Sequence, residues 1–143
     1  MAAPVLSVKE IETLLRSEFP QVFNADSGLS IADVTGTGCR VVQAFRESFV
    51  RPGGTISGPT MMALADFTMY VAVLAAAGPV PLAVTTNLNI NFLRKPAQTD
   101  LVADARLLKR GKRLVVGEVL IHSGGVAEPV AHVTATYSIP PSP

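Results

Sequence analysis

The amino-acid sequence predicts the α+β class, with an antiparallel sheet wrapped around one long central helix. The first observation is the segment 60–77, which is apolar nearly all round, as in a helix covered by protein on every side. The second is the chain that follows, where four segments rich in Val, Thr, Ile and Leu are separated by short turns. A helix followed by such a series of strands packs most economically when the sheet curls around the helix.

A short amphipathic helix is predicted at residues 7–19. Ser7 can cap its first turn, and Glu10, three residues later, supplies the second half of a capping box. Pro20 ends the helix, because proline has no backbone N–H to continue it. The apolar face of this helix consists of Ile11, Leu14, Leu15 and Phe19.

Two strands and the central helix come next. Residues 29–34 and 40–49 are the strand candidates, joined by a Thr-Gly-Thr-Gly turn. An irregular stretch then leads to the helix at 60–77, where Pro59 suits a first helical position and Gly78 ends the element.

The last four strands are predicted at residues 82–93, 100–109, 114–122 and 128–139. The complete order is therefore α-β-β-α-β-β-β-β. The Pro-rich tail at 140–143 cannot pair into a sheet and is expected to be loose. Since no repeat or linker interrupts the chain, residues 1–143 are predicted to form one domain.

The composition favours a homo-oligomer, a dimer or a tetramer. Hydrophobic residues make up 48% of the chain and charged residues only 16%, which is apolar for a monomer of this length. The longest apolar stretch is interrupted by Gly, Pro and polar residues, so we expect no membrane span, and a second copy would cover the open edge of the sheet. A formal net charge of +1 does not supply the wide basic face that binding to duplex nucleic acid requires.

Neither a metal site nor a disulfide is expected. Cys39 is the single cysteine, and His122 and His132 are the only histidines. These are too few cysteine and histidine ligands for a typical structural metal site. Cys39 lies in an alternating strand pattern and is interpreted as a packing residue, and both histidines as structural. A reducing, cytoplasmic location is the expectation.

Asp66 is the residue that does not fit its surroundings. It is the only charge on a helix otherwise built for burial, and a buried carboxylate is costly unless it is paired. One interpretation is a general base or nucleophile in a cleft. The other is a structural carboxylate bonded to backbone or hydroxyl groups at a subunit boundary, and the residues alone favour the two about equally.

Gly58 stands at the start of the same helix. The free amides of a first turn carry the positive end of the helix dipole, which suits a developing oxyanion. Glycine also lets a carbonyl approach closely, whereas the neighbouring Pro59 has no N–H to offer.

Several polar residues are candidates for binding a ligand. The run 109–113 places Arg110, Lys112 and Arg113 around one hairpin turn, which is either a solvated turn or a grip for phosphates that Arg94 could join. Alternating polar residues from another strand could line a polar cleft, although satisfaction of an edge strand is the simpler account. These residues are Thr85, Thr86, Asn87, Asn89 and Asn91.

Two stretches carry a family resemblance. The first, Ser-Gly-Pro-Thr-Met-Met-Ala-Leu-Ala-Asp at 57–66, resembles the His-Gly-Gly and Leu-Ala-Asp motif of hotdog-fold acyl-coenzyme A thioesterases of the phenylacetate-degradation (PaaI-like) type. The second, at 86–97, is similar to the family's Thr-x-x-Leu-x-Ile-x-Phe-Leu-Arg-Pro strand. Further matches keep the family order from about residue 40 to 139.

The resemblance implies hydrolysis of an acyl-coenzyme A at a site shared between subunits. It assigns Asp66 as the catalytic acid and Gly58 as the amide that polarises the thioester carbonyl. Arg94 and the turn at 109–113 would meet the nucleotide end of coenzyme A, which is part of the substrate, so no separate cofactor is implied. The alternative is a non-catalytic protein that binds acyl-coenzyme A or another small ligand.

Three positions depart from the family pattern, and each touches the thioester pocket. Ser57 replaces the histidine, Pro59 the second glycine, and Arg51 stands where an amide-bearing residue is common. Ser57 and Arg51 are therefore candidate substrate-binding residues. Arg51 could form a salt bridge with Asp66, or it could bind a carboxylate on the acyl group.

Overall fold

The structure is a computed structural model and describes residues 2–141. The two helices and six strands are α1 (Val8–Glu18), β1 (Leu29–Val34), β2 (Gly38–Gln43), α2 (Gly58–Ala77), β3 (Val84–Phe92), β4 (Leu101–Arg110), β5 (Leu114–Ser123) and β6 (Ala131–Ser138). The predicted order of elements and the α+β class are confirmed. Of the predicted loose tail, residues 142–143 lie outside the described residues, and residues 140–141 belong to no helix or strand.

The six strands form one antiparallel sheet in the order β1-β2-β4-β5-β6-β3. Helix α2 packs against the inner face of this sheet and contacts five of the six strands. On β4, β5 and β6 alternate side chains are buried, because one face of these strands meets the helix and the other does not. The sheet therefore curves around α2, as the sequence predicted.

Helix α1 begins with the predicted capping box. The Glu10 N–H donates to Ser7 Oγ at 3.2 Å, and the Ser7 N–H donates to Glu10 Oε1 at 3.0 Å. Ile11 and Leu15 are fully buried, so the predicted apolar face anchors this helix to the core.

The predicted strand at 40–49 is too long, because β2 ends at Gln43 and a 3-10 turn occupies Glu47–Phe49. Gln43 pairs with Leu29 at the first residue of β1 and with Leu101 at the first residue of β4. Both neighbouring strands therefore run out at this position. The backbone beyond it has no sheet partner, and the Phe45 N–H donates instead to the Asp100 carboxylate at 2.8 Å.

The chain covers helix α2 unevenly. Its second half is almost completely buried, whereas Met62 keeps 42% of its surface and Ala63 is also exposed. This helix is long and apolar enough to cross a membrane. However, 72% of its most apolar 18-residue segment is buried inside the protein, as expected for a core helix.

Strand β3 lies at the edge of the sheet, and a β-bulge divides it. Thr85 pairs with Tyr137 and Asn87 with Thr136, so β3 has one extra residue, Thr86, between these two pairs. Since side chains alternate along a strand, the extra residue shifts Thr85 onto the inner face while Asn87 stays on the outer face. Because of the bulge, Thr85 and the asparagines that follow it point to opposite faces of the sheet.

Candidate functional site

The Asp66 carboxylate is half-buried in α2 and is held by two hydroxyl groups. Thr85 on β3 donates to Asp66 Oδ1 at 2.5 Å, and Tyr137 on β6 donates to the same oxygen at 2.7 Å. Two accepted hydrogen bonds are the usual capacity of one carboxylate oxygen. Oδ2 is therefore the oxygen left to interact with a ligand or water.

Tyr137 is a permanent donor in this arrangement. Its side chain is 3% exposed, and its hydroxyl also lies 2.9 Å from the Asp66 backbone oxygen. Burial raises the pKa of the Tyr137 phenol above its usual value, and the nearby Asp66 charge adds to this shift. The phenol therefore keeps its proton at ordinary pH.

Asp66 opens into a cavity of about 480 Å³. Its walls are mainly apolar and aromatic, and α1 and the loop that follows it close one side. The lining residues are Glu18, Phe19, Val22, Ala63, Asp66, Phe67, Tyr70, Pro81, Ala83, Val84, Thr85 and Tyr137. We call this space the Asp66 cavity.

Gly58 lies on a different cavity, of about 390 Å³, which also contains Arg51, Phe92 and Arg94. Among residues 2–141 the Gly58 N–H donates to no acceptor, as expected for the first residue of a helix. A Cβ atom added at Gly58 would stand 3.2 Å from the ring of Phe92, so glycine keeps this amide accessible. We call this space the Gly58 cavity.

The two predicted catalytic residues do not meet within one chain. Eight residues of helix separate Gly58 from Asp66, which corresponds to about 12 Å along the axis at roughly 1.5 Å per residue. A reacting carbonyl must lie about 3 Å from both its hydrogen-bond donor and its base or attacking group. One chain alone therefore cannot present both groups to the same carbonyl.

Arg51 lines the Gly58 cavity and not the Asp66 cavity. The ion pairs of the described residues are Arg40 with Asp104, Arg106 with Glu118 and His132 with Glu118, and none involves Asp66. The salt bridge between Arg51 and Asp66 that the sequence left open is thus not formed within the chain.

Ser57 and Arg94 are both engaged in holding the backbone. The Ser57 side chain caps α2 by accepting from the Thr60 N–H at 3.4 Å, and its hydroxyl lies 2.9 Å from that of Thr60. The Arg94 guanidinium donates to the Pro129 carbonyl at 2.8 Å and lines the Gly58 cavity. Substrate binding by Ser57 would have to use a hydroxyl that already serves as a cap.

The basic hairpin joins β4 to β5. Arg110, Lys112 and Arg113 are exposed there. The backbone of Arg113 accepts from the Ile139 N–H at 2.7 Å, and the adjacent Leu114 pairs with Ser138, which also pairs with Val84 at the Asp66 cavity. The hairpin lies two strands from Val84, about 10 Å across the sheet.

Asn87 and Asn89 lie apart from both cavities. They pair with Thr136 and Thr134, which point to the outer face of the sheet, and neither asparagine lines the Asp66 cavity or the Gly58 cavity. Within one chain the β-bulge turns Thr85 inward and leaves both asparagines on the outer face, so substrate binding by Asn87 and Asn89 stays a prediction.

Cys39 and His132 both make contacts within the chain. Cys39 is buried, its thiol donates to the Thr68 carbonyl at 3.2 Å, and burial raises the pKa of this thiol far above its usual value. His132 lies 3.0 Å from Glu118 on the outer face. Sequence reasoning missed Tyr137 as a site residue, although a tyrosine among small inward-facing residues on β6 is a signal that its hydroxyl needs a partner.

Comparison with known proteins agrees with this architecture. The family model described as the thioesterase superfamily matches residues 53–130. A curated relative from Saccharolobus solfataricus, named as a putative esterase, is 31% identical over 121 residues, which cover 85% of this chain and 78% of the relative.

Solved structures extend the agreement to the whole fold. A putative thioesterase from Silicibacter superposes with a TM-score of 0.85 at 41% identity, over 96% of this chain and 94% of that one. The phenylacetic acid degradation protein PaaI from Thermus thermophilus, in a mutant form, has a TM-score of 0.68 at 22% identity, over 78% of this chain and 92% of that one. The second likeness shows a shared fold alone. The chain therefore belongs to the thioesterase superfamily and is a thioester hydrolase built on the hotdog fold.

Proposed function

We propose that the thioester substrate is an acyl-coenzyme A, hydrolysed at a site that two copies of the chain share. The observation that carries this proposal is the Asp66 carboxylate, which lines an apolar cavity and has one oxygen fixed by two hydroxyls, while the other accepts no hydrogen bond from residues 2–141. Oδ2 is not buried, so water can reach it, and a water bound there is the nucleophile that the reaction needs.

The proposed reaction uses Asp66 as a general base. Asp66 Oδ2 takes a proton from water as the water oxygen attacks the thioester carbonyl carbon. The Gly58 N–H of a second copy stabilises the oxyanion of the tetrahedral intermediate. The intermediate then collapses, the carbon–sulfur bond breaks, and the proton on Asp66 passes to the leaving sulfur, which gives a carboxylic acid and free coenzyme A. No further cofactor enters this scheme.

The uncovered surface supports a homo-oligomer. Strand β3 has a neighbour on one side only, and Val84 and Phe92 on it are 56% and 50% exposed. Met62 on α2 is exposed as well. A sheet edge of this kind leaves backbone N–H and C=O groups without a partner strand, and a second copy would cover the edge and bring a Gly58 cavity towards an Asp66 cavity.

The Asp66 cavity is the proposed acyl pocket. Its aromatic walls suit a neutral, apolar acyl group, and Glu18 is the only carboxylate among its lining residues besides Asp66. The Glu18 charge would repel an acyl group that ends in a carboxylate.

The nucleotide end of coenzyme A carries phosphates, for which two parts of the surface offer cations. These are the basic hairpin and the Gly58 cavity, where Arg51 and Arg94 lie. Because free thiols such as Cys39 persist in reducing compartments, we also propose a cytoplasmic location.

A screen for thiol release over short, medium, long and aromatic acyl-coenzyme A thioesters tests the proposal. We expect turnover of neutral apolar acyl groups and weak turnover of succinyl-coenzyme A, since Glu18 disfavours its carboxylate. Tight binding by calorimetry without thiol release across the whole panel would replace the enzyme with a non-catalytic acyl-coenzyme A binder. If the panel showed neither binding nor thiol release, coenzyme A would be ruled out as the carrier.

The basic hairpin can be tested by exchanging the carrier. The double substitution Lys112→Ala and Arg113→Ala is expected to raise KM for the preferred acyl-coenzyme A by about 10-fold, as two charge-assisted phosphate contacts are lost. The same acyl group on N-acetylcysteamine has no phosphates, so its kcat/KM should stay within about twofold of the wild type. An equal loss with both carriers would show that the hairpin does not bind the nucleotide.

A further inference from the structure

Tyr137 is the residue whose role the family resemblance does not supply. It projects from β6 with its hydroxyl between two oxygens of the same residue, 2.7 Å from Asp66 Oδ1 and 2.9 Å from the Asp66 backbone oxygen. A single hydroxyl group thus contacts both the side chain and the main chain of the proposed base.

The ring of Tyr137 is itself held firmly. It is stacked on Tyr70, with ring centroids 6.0 Å apart and planes at 20°, and Tyr137 pairs directly with Thr85 in the sheet. The second ring is fixed in turn, because the Tyr70 hydroxyl donates to the Pro81 carbonyl at 2.7 Å. The Tyr137 hydroxyl therefore has a defined position before any substrate binds.

We propose that Tyr137 is a positioning residue that fixes the side-chain rotamer of Asp66 and reserves Oδ2 for the proton transfers. This inference rests on the proposed function, in which Asp66 is the general base. Without the Tyr137 hydroxyl, Thr85 alone would hold Oδ1 and the carboxylate could rotate about its last bond, since the terminal torsion of aspartate is broad.

The arrangement also directs the proton. While Oδ1 accepts hydrogen bonds from two hydroxyls, a proton taken from water resides on Oδ2. The same oxygen then delivers this proton to the leaving sulfur. Tyr137 would touch neither water nor sulfur and would act only through Asp66.

The substitution Tyr137→Phe removes the hydroxyl and keeps the stacked ring. We expect kcat for the best acyl-coenzyme A to fall by about 10- to 100-fold with KM changed less than about twofold, because a hydrogen bond to a charged group is lost from the base and not from the substrate.

Two matched variants identify the source of these changes. Tyr70→Phe removes an equivalent hydroxyl from the adjacent ring but leaves the hydrogen bonds to Asp66 in place, so adding Tyr137→Phe to it should lower kcat by the same factor as in the wild type. The titratable groups that face Asp66 are Glu18 from α1, Tyr70 from α2 and Tyr137 from β6. Glu18→Gln changes the other carboxylate of the cavity, and adding Tyr137→Phe to it should likewise lower kcat by the same factor as in the wild type.

The decisive comparison is made in the Asp66→Asn background. If Tyr137 acts only through the base, adding Tyr137→Phe to Asp66→Asn should lower kcat by less than about twofold further, because the two changes share one mechanism. The proposal would be overturned if a folded Tyr137→Phe enzyme kept the wild-type kcat. It would also be overturned if Tyr137→Phe lowered kcat equally in the wild-type and Asp66→Asn backgrounds. If Asp66→Asn itself retains full turnover, the proposed function fails as well, so the two failures are distinguishable.

Discussion

The substitution Asp66→Asn is expected to lower kcat for acyl-coenzyme A hydrolysis by about 10²- to 10⁴-fold, the usual loss when a general base is removed. Asparagine can still accept through Oδ1 from Thr85 and Tyr137, so the two hydrogen bonds that hold the side chain are retained. Only Oδ2 is replaced, by an NH₂ group that cannot take a proton from water. Stopped-flow measurement of thiol release at saturating substrate separates this loss in kcat from any change in KM.

Two further measurements guard the interpretation of Asp66→Asn. The variant should unfold thermally within a few degrees of the wild type, and it should bind a non-hydrolysable acyl-coenzyme A thioether with wild-type affinity. Full turnover by a folded variant would mean that Asp66 is the structural carboxylate of the alternative interpretation, and the catalytic assignment would be withdrawn.

Complementation between two inactive variants is the second large effect that we expect. Gly58→Asp places a negative charge where the oxyanion would develop. Its Cβ would stand 3.2 Å from the ring of Phe92, which is half exposed and can shift, and an acidic residue in the first turn suits the helix dipole, so α2 should stay folded. When Asp66→Asn and Gly58→Asp chains are combined in one dimer, one of the two shared sites receives the intact Asp66 and the intact Gly58. Such a mixed dimer should recover about half of the wild-type activity, as one of its two symmetry-related sites is complete.

The mixed dimer is obtained by co-expression of the two chains with different affinity tags and purification on both. Dimers of each single variant, purified in the same way, provide the baseline. Recovery of activity only in the mixed dimer would support a shared site. Activity no higher than that of the parents, in a dimer that carries both tags, would show that the site is not built from Asp66 of one copy and Gly58 of another.

The sequence predicted the fold well because most of its elements are set by local patterns. The capping box fixed the start of α1, and the apolar run of α2 could not be exposed to water on all sides. The strand at 40–49 was predicted too long for a reason outside its own residues. Its end is set by the first residues of the strands on either side, Leu29 and Leu101, and alternation within one segment contains no information about where its neighbours begin.

The candidate site was predicted in part for similar reasons. Asp66 was found because a lone charge on an apolar helix conflicts with its surroundings. Tyr137 was missed because its position on β6 matches the inward-facing alternation, and a buried hydroxyl in need of a partner does not reveal from the sequence that the partner is Asp66. Asn87 and Asn89 were assigned to a cleft with Thr85, since in a regular strand these alternate residues would share one face. The bulge places Thr85 and the two asparagines on opposite faces, and the residue types of the strand do not predict a bulge at this position.

That bulge places an unusual demand on the length of the chain at Thr86. Deleting Thr86 would restore regular alternation of the β3 side chains between the two faces of the sheet. Thr85 could then face Asp66 only if Asn87 and Asn89 also turned towards the apolar core. A chain that keeps the hydroxyl contact of Thr85 can therefore exchange the Thr86 side chain at the cost of its 3.2 Å hydrogen bond to the Thr136 carbonyl, yet cannot lose the residue. The contact between Thr85 and Asp66 thus depends more on the number of residues in β3 than on which side chain occupies position 86.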